Sequence, residues 1–185
     1  MRCFVAIELP SEVHRALAAL QARLRSLGPA VRWIRPEQIH LTVKFLGEVA
    51  EGNSAAVCKV VQGVAARCQP VQIEVCGTGC FPPLGPARIV WAGITGPPQG
   101  LVDCQQACEQ EFAELGFQPE HRPYRPHLTV GRIRDPRGSQ ATRSAIDQQA
   151  QFAGGTFLAA ELVLFQSVLH PSGPTYTVLA RAPFA

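Results

Sequence analysis

An α+β fold with two mostly antiparallel sheets is what this chain predicts, on three observations. Strand-like segments follow one another without an intervening helix at several points, whereas a strict strand and helix alternation would signal a parallel sheet. Apolar residues recur at three- and four-residue spacing in three well-separated segments, the period of helices packed on one face. A short stretch occurs twice, His40-Leu41-Thr42-Val43 and His127-Leu128-Thr129-Val130. That repetition suggests a duplicated half-fold, and a pseudo-twofold arrangement would bring the two strands together across one cleft.

Residues 2–9 are rich in Phe4, Val5 and Ile7 and stop at Pro10, the composition of a central strand buried on both faces. Ser11 is placed to cap a helix with Val13, Leu17, Leu20, Leu24 and Leu27 on one face, ended by Gly28-Pro29. Residues 31–34 read as a short strand, Pro36-Glu37-Gln38 as a turn, and 39–46 as the first motif strand, closed by Gly47. A second helix begins at Asn53 or Ser54 and runs through Val57, Val60, Val61 and Val64 to about Cys68, before Pro70. Residues 71–75 alternate as a strand, Gly77-Thr78-Gly79 and Pro82-Pro83 bracket a loop holding Phe81, and 88–94 form another strand. The third helix carries Leu101, Cys104, Cys108, Phe112 and Leu115 and closes at Gly116.

A proline-punctuated stretch then leads into the second motif strand, residues 127–133. Asp135-Pro136-Arg137-Gly138 reads as a turn, 139–149 as a polar helix or an irregular segment, and 157–169 as one long strand or two joined by a bend. His170-Pro171-Ser172-Gly173-Pro174 is a hairpin turn into a last strand, 175–181.

The 185 residues, 46% hydrophobic, suffice for one domain or two lobes around a continuous core. A net charge of +3 and a pI of about 8.6 fall short of a polybasic nucleic-acid binder, so any anionic ligand must be gripped locally. Basic residues are nearly all arginine, with lysine only at Lys44 and Lys59. Arginine suits bidentate phosphate contacts and stacking on bases, although a GC-rich genome gives the same bias. The first ten residues hold no long apolar core and no cleavage pattern, and no segment reads as a membrane span, which predicts a cytoplasmic protein.

Seven cysteines, an odd number without a secretory signal, argue against a disulfide framework. Cys76 with Cys80 and Cys104 with Cys108 could together hold a zinc ion, but the spacing is not that of a zinc knuckle. The apolar helical pattern around Cys104 and Cys108 favours their role as small buried hydrophobes.

In a strand, the period of two puts histidine and threonine of each motif on one face and leucine and valine on the other. Two imidazoles and two hydroxyls, with no carboxylate or thiolate in the motifs to complete a metal site or a triad, suit phosphodiester chemistry without a metal. One neutral imidazole can take a proton from the nucleophile while an imidazolium gives one to the leaving oxygen, each role contributing about 10²–10⁴-fold. Hydroxyls and a cation would hold the non-bridging oxygens.

The two His-Leu-Thr motifs, the run Arg32-Trp33-Ile34-Arg35-Pro36-Glu37-Gln38-Ile39 before the first, the stretch Tyr124-Arg125-Pro126 before the second, and the opening Arg2-Cys3-Phe4-Val5-Ala6-Ile7 resemble the two-histidine phosphoesterase superfamily. The resemblance runs over essentially the whole chain, including Ser167, Gly173 and Tyr176, and is nearest to the RNA 2′,3′-cyclic phosphodiesterase branch, also called the 2′-5′ RNA ligase family. It implies a bilobal α+β domain spanning residues 1–185, with helices outside the sheets and the active-site cleft between lobes. It also implies metal-independent opening of a terminal RNA 2′,3′-cyclic phosphate to a 2′-phosphate, with no cofactor, no membrane and a monomeric protein.

Carried onto this chain, the resemblance makes His40 the general acid and His127 the general base, or the reverse, with Thr42 and Thr129 on the phosphate oxygens. It also places the terminal base between Phe45 and Arg132, each five residues after its histidine. That odd offset turns both side chains away from the cleft unless the strands bulge near Lys44 and Gly131. Lys44, Arg35 and Arg125 are candidates for following the RNA backbone, Tyr124 for core or cleft wall, and His14, His121 and His170 for solvated surface. Other substrates fit the same groups: ADP-ribose 1″,2″-cyclic phosphate, a nucleoside 2′,3′-cyclic phosphate or a 2′-5′-linked oligonucleotide. Ligation is the reverse reaction at the same groups. A non-catalytic RNA-end-binding module is the rival of another class, against which the paired proton donor and acceptor count.

Overall fold

The computed structural model describes residues 1–25, 31–134, 139–171 and 173–185, and of residues 139–141 the backbone only. Nine strands and four helices follow one another in the described residues: β1 (Arg2–Ile7), α1 (Ser11–Leu24), β2 (Val31–Trp33), β3 (Leu41–Glu48), α2 (Ser54–Ala65), β4 (Val71–Phe81), β5 (Ile89–Ile94), α3 (Gln99–Glu114), β6 (His127–Ile133), α4 (Ser139–Asp147), β7 (Ala153–Ala159), β8 (Glu161–His170) and β9 (Gly173–Pro183). Single 3₁₀ turns at Pro36–Gln38 and Glu51–Asn53 precede β3 and α2. The expected stop at Gly28-Pro29, the turn at Asp135-Pro136-Arg137-Gly138 and Ser172 of the hairpin lie outside the described residues.

Two antiparallel sheets form, in strand orders β3-β1-β8-β9 and β2-β6-β5-β4-β7. The pseudo-twofold relation is visible in these orders. Each motif strand, β3 or β6, pairs with a strand it reaches through one helix, β1 through α1 and β5 through α3. Two further strands follow in each sheet, β8-β9 and β4-β7, and only β2 lacks a counterpart. The helices cross over: α1 packs on β7 of the sheet opposite β1, while α3 packs on β3 and α2. One continuous core results, containing Val5 and Leu41 of the first sheet and Val90 and Leu128 of the second.

Several local expectations needed correction. Ser11 is the first helical residue, and Pro10, extended at φ −73° and ψ 163°, occupies the cap position because its missing N–H leaves nothing unsatisfied there. The first motif strand begins at Leu41, one residue after its histidine, and runs on through Gly47, whose φ of +68° allows a second irregularity beside Leu46. α2 ends at Ala65, with Ala66 to Cys68 forming a turn. Gly77-Thr78-Gly79 belongs to β4 rather than a loop: a Cβ at Gly79 would stand 2.2 Å from the Trp91 ring, so glycine is required where that ring lies across the sheet. The segment 157–169 takes the second of its two expected forms, two strands broken at Ala160. No helix among the described residues is long and apolar enough to cross a membrane.

Candidate active site

Both motif histidines are oriented in the same way. His40 Nδ1 lies 2.9 Å from the Gln38 carbonyl and His127 Nδ1 2.7 Å from the Arg125 carbonyl, in each case the residue two positions upstream. A carbonyl only accepts, so Nδ1 carries the proton and Nε2 is the nitrogen left to titrate. The upstream segments are themselves anchored. Gln38 donates from its side chain to the Pro174 carbonyl, Tyr124 donates to the Thr42 carbonyl, and His14 on α1 donates to the carbonyl of Ile39. His14 is therefore half-buried and part of this scaffold, not a solvated surface group; His121 and His170 are exposed, as expected.

Each motif strand carries one extra residue at the same place. Against β1, Val5 pairs with Lys44 and Ala6 with Thr42, so Val43 is bulged out of register. Against β5, Val90 pairs with Gly131 and Trp91 with Thr129, so Val130 is bulged. One extra residue reverses the alternation. Val43 and Lys44 are consecutive buried residues, as are Val130 and Gly131, and Thr42, Phe45, Thr129 and Arg132 return to the open face. The odd offset of Phe45 and Arg132 is thus resolved by paired bulges, and Phe45 stands 68% exposed. Neither threonine hydroxyl has a hydrogen-bond partner among the described residues.

The bulges are braced by buried polar groups from the crossed helices. Lys44 is only 3% exposed, pairs with Glu109 of α3 at 2.6 Å and donates to the Gln118 carbonyl, so it cannot follow an RNA backbone as the sequence suggested. Arg35 and Arg125 remain exposed. In the other sheet, the carbonyl of the bulged Val130 accepts from Ile34 N at 3.0 Å and from Gln21 Nε2 of α1 at 2.9 Å. Gln21 also donates to the Ile34 carbonyl at 2.7 Å. Gln21 escaped the sequence reading, although an amide inside the Leu17, Leu20 and Leu24 stripe was a signal.

Aromatic rings wall both histidines. His40 stacks on Phe4 at 4.6 Å and meets Tyr176 edge-on at 5.3 Å; with Phe165 these rings form a small apolar cluster on the open face of the first sheet. Burial there pulls the His40 pKa down to about 4, despite its carbonyl bond and the charge of Glu8. His127 meets Phe81 edge-on at 5.0 Å, and Phe81 adjoins Trp91 at 5.4 Å. Its pKa is lowered by burial first, and further by the Arg132 charge. The same guanidinium acts on Tyr176, whose phenol burial pushes up and Arg132 and Arg2 pull back. Arg132 thus lies within electrostatic reach of His127 in its own sheet and of Tyr176, the neighbour of His40, in the other. β3 and β6 also lie against each other, so the two motif strands are neighbours across the two sheets.

A hollow of about 310 Å³ opens beside His127, lined by Thr78, Phe81, Trp91 and Arg125. A larger one, about 500 Å³, lies between the ends of β1 and β7 and contains no motif residue; its carboxylates, Glu8 and Glu161, are both paired with Arg181. Of the two, only the smaller hollow is lined by a motif residue, His127. Among the described residues no three ligating side chains are grouped to hold a metal. The proposed zinc quartet is divided, Cys76 and Cys80 on β4 and the buried Cys104 and Cys108 on α3, which packs on β3 and α2.

Comparison with known proteins gives the family and the fold. The family model of LigT-like phosphoesterases matches residues 7–91 and 94–176. An RNA 2′,3′-cyclic phosphodiesterase of Methanothermobacter thermautotrophicus is 34% identical over 96% of this chain and 95% of its own, and one of Methanocaldococcus jannaschii is 31% identical over 97% and 98%. The crystal structure of TT0787 from Thermus thermophilus superposes with a TM-score of 0.84 at 27% identity, covering 100% of this chain and 98% of that one. Escherichia coli LigT, complexed with 3′-AMP, shares the fold with a TM-score of 0.78 at 24% identity over 99% and 97%. With its duplicated His-x-Thr strands, its matched bulges and these likenesses, the chain belongs to the LigT-like phosphoesterase family of two-histidine enzymes.

Proposed function

We infer that this protein is an RNA 2′,3′-cyclic phosphodiesterase that opens the terminal cyclic phosphate to a 2′-phosphate without a metal, acting as a cytoplasmic monomer. The observation that carries the mechanism is the repetition: two histidines, each with Nδ1 tied to a carbonyl two residues upstream and each followed by threonine and a bulge. Water attacks phosphorus, His127 Nε2 takes its proton, the bond from phosphorus to O3′ breaks, and His40 Nε2–H protonates that oxygen. Thr42 and Thr129 hold the non-bridging oxygens as charge builds on them. Phe45 and Arg132 sandwich the terminal base, which gives affinity with little sequence preference.

Burial keeps both imidazoles neutral in the free protein near pH 7. The bound phosphodiester anion supplies the charge that lets His40 hold the proton it must give. The test is incubation of a short RNA ending in a 2′,3′-cyclic phosphate with the purified protein in excess EDTA, resolving 2′- from 3′-phosphate. Formation of the 2′-phosphate is expected; survival of the cyclic end in EDTA, with turnover restored by a divalent ion, would overturn the mechanism. Survival with and without metals would instead direct attention to the other cyclic and 2′-5′-linked substrates, then to end binding without catalysis.

A further inference from the structure

β2 is the strand without a counterpart, and it puts a second guanidinium beside Arg132. In the β2 and β6 register Arg32 faces Arg132 directly, so the two side chains share one face of the sheet. Like charges in that position are destabilising unless an anion lies between or beside them. Neither arginine has a hydrogen bond or ion pair among the described residues, whereas Arg67, Arg122 and Arg181 each hold a glutamate. Arg32 also reaches across to the other sheet: a Cβ on Gly173, at the start of β9, would stand 3.0 Å from its Nη2. Glycine at 173 leaves the guanidinium room at the side of the cleft where Tyr176 feels Arg132.

We propose that Arg32 binds the phosphodiester on the 5′ side of the terminal nucleotide, so that the protein selects RNA ends of two or more nucleotides over a lone nucleoside 2′,3′-cyclic phosphate. The proposal rests on the reading of the site given above. There the reacting phosphate belongs to the histidines and threonines, and the face of Arg132 belongs to the base. Besides the reacting cyclic phosphate, the nearest anion of an RNA end is the internucleotide phosphate on the 5′ side of the terminal residue. The planar fork of arginine matches a phosphodiester bidentately, which a lysine cannot do.

The experiment is a titration with product-type ligands, a nucleoside 2′-phosphate against a dinucleotide ending in a 2′-phosphate, so that binding is read whether or not the protein turns over. The wild-type protein is expected to bind the dinucleotide about tenfold or more tightly, as one charge-assisted contact allows. Arg32→Ala should reduce that ratio to near unity, Arg32→Lys should restore part of it, and the salt slope for the dinucleotide should shrink by about 0.7 in Arg32→Ala. An unchanged ratio in Arg32→Ala, or no preference in the wild type, would refute the assignment. Kinetics on the matching cyclic substrates are read separately: a binding ratio that falls with Arg32 in a protein without turnover would sink the catalytic reading and leave this one standing.

Discussion

His40 and His127 carry the same motif in different surroundings. Each imidazole has its Nδ1 on the carbonyl two residues back, and each strand bulges three residues after the histidine. Around that shared frame the lobes diverge. β3 is an edge strand and its histidine lies flat on Phe4, while β6 is flanked on both sides and its histidine takes the edge of Phe81. The bulge in β3 is braced by an ion pair, the one in β6 by a neutral amide. What stays common is what proton transfer needs, a fixed tautomer and an aimed Nε2. What varies is solvation, and therefore the proton affinity of each base.

The comparison breaks most severely if either imidazole is removed. His40→Ala and His127→Ala are each expected to lose about 10²–10⁴-fold in kcat on an RNA 2′,3′-cyclic phosphate. Full activity of either variant in a gel-resolved end assay would show that the two sites are not partners. Their divergence appears in the pH dependence. The reaction needs one imidazole neutral and one protonated, and in the free protein both pKa values lie below the ordinary 6.5. The alkaline limb of kcat/KM should therefore fall no higher than about pH 6.5, with that of kcat displaced upward by the bound phosphate anion. Stability follows the same sign: below pH 6.5 the unfolded chain takes up protons that native His40 resists until about pH 4. Stability is thus full above 6.5 and falls towards pH 4, and His40→Asn should flatten that decline in denaturant titrations across the window.

Phe45→Ala tests the sandwich that the bulges make possible. Loss of one stacking surface should cost about 1–3 kcal/mol, read in KM more than in kcat. Equal affinity in the variant would mean that the exposed ring contributes nothing to binding.

The motif strands were legible because the period of two marks them directly, and β6 runs over the expected residues 127–133. The central strand β1 was legible for the opposite reason, since burial on both faces leaves an unbroken apolar run. Other features depend on partners distant in sequence. Glycines within β4 resembled a loop until Trp91 was seen lying over Gly79. Lys44 resembled an RNA contact because nothing near it in the chain announces Glu109. The bulges were demanded by the offset of Phe45 and Arg132, but their braces were invisible, because each comes from a helix that crosses to the sheet opposite its own strand.

Those braces allow the finest distinction between the halves. Lys44→Met leaves Glu109 partly buried without its cation, which should destabilise the fold by about 3–5 kcal/mol, and the β3 bulge would lose its anchor. Gln21→Leu removes two donors from the carbonyls of Ile34 and Val130 but also removes an Oε1 atom that is buried without a partner. The net cost is therefore expected near the low end of the range for a buried unsatisfied group, about 1–3 kcal/mol, because one orphaned acceptor disappears as the Ile34 carbonyl loses its donor. Ile34 N still holds the Val130 carbonyl, so the β6 bulge should survive with a looser Arg132. Thermal unfolding and KM together separate the outcomes: Gln21→Leu should raise KM through Arg132 while shifting the melting temperature less than Lys44→Met. A variant that lost stability without any change in KM would show that the amide supports the core alone, and that the Ile34 backbone bond suffices to aim the arginine.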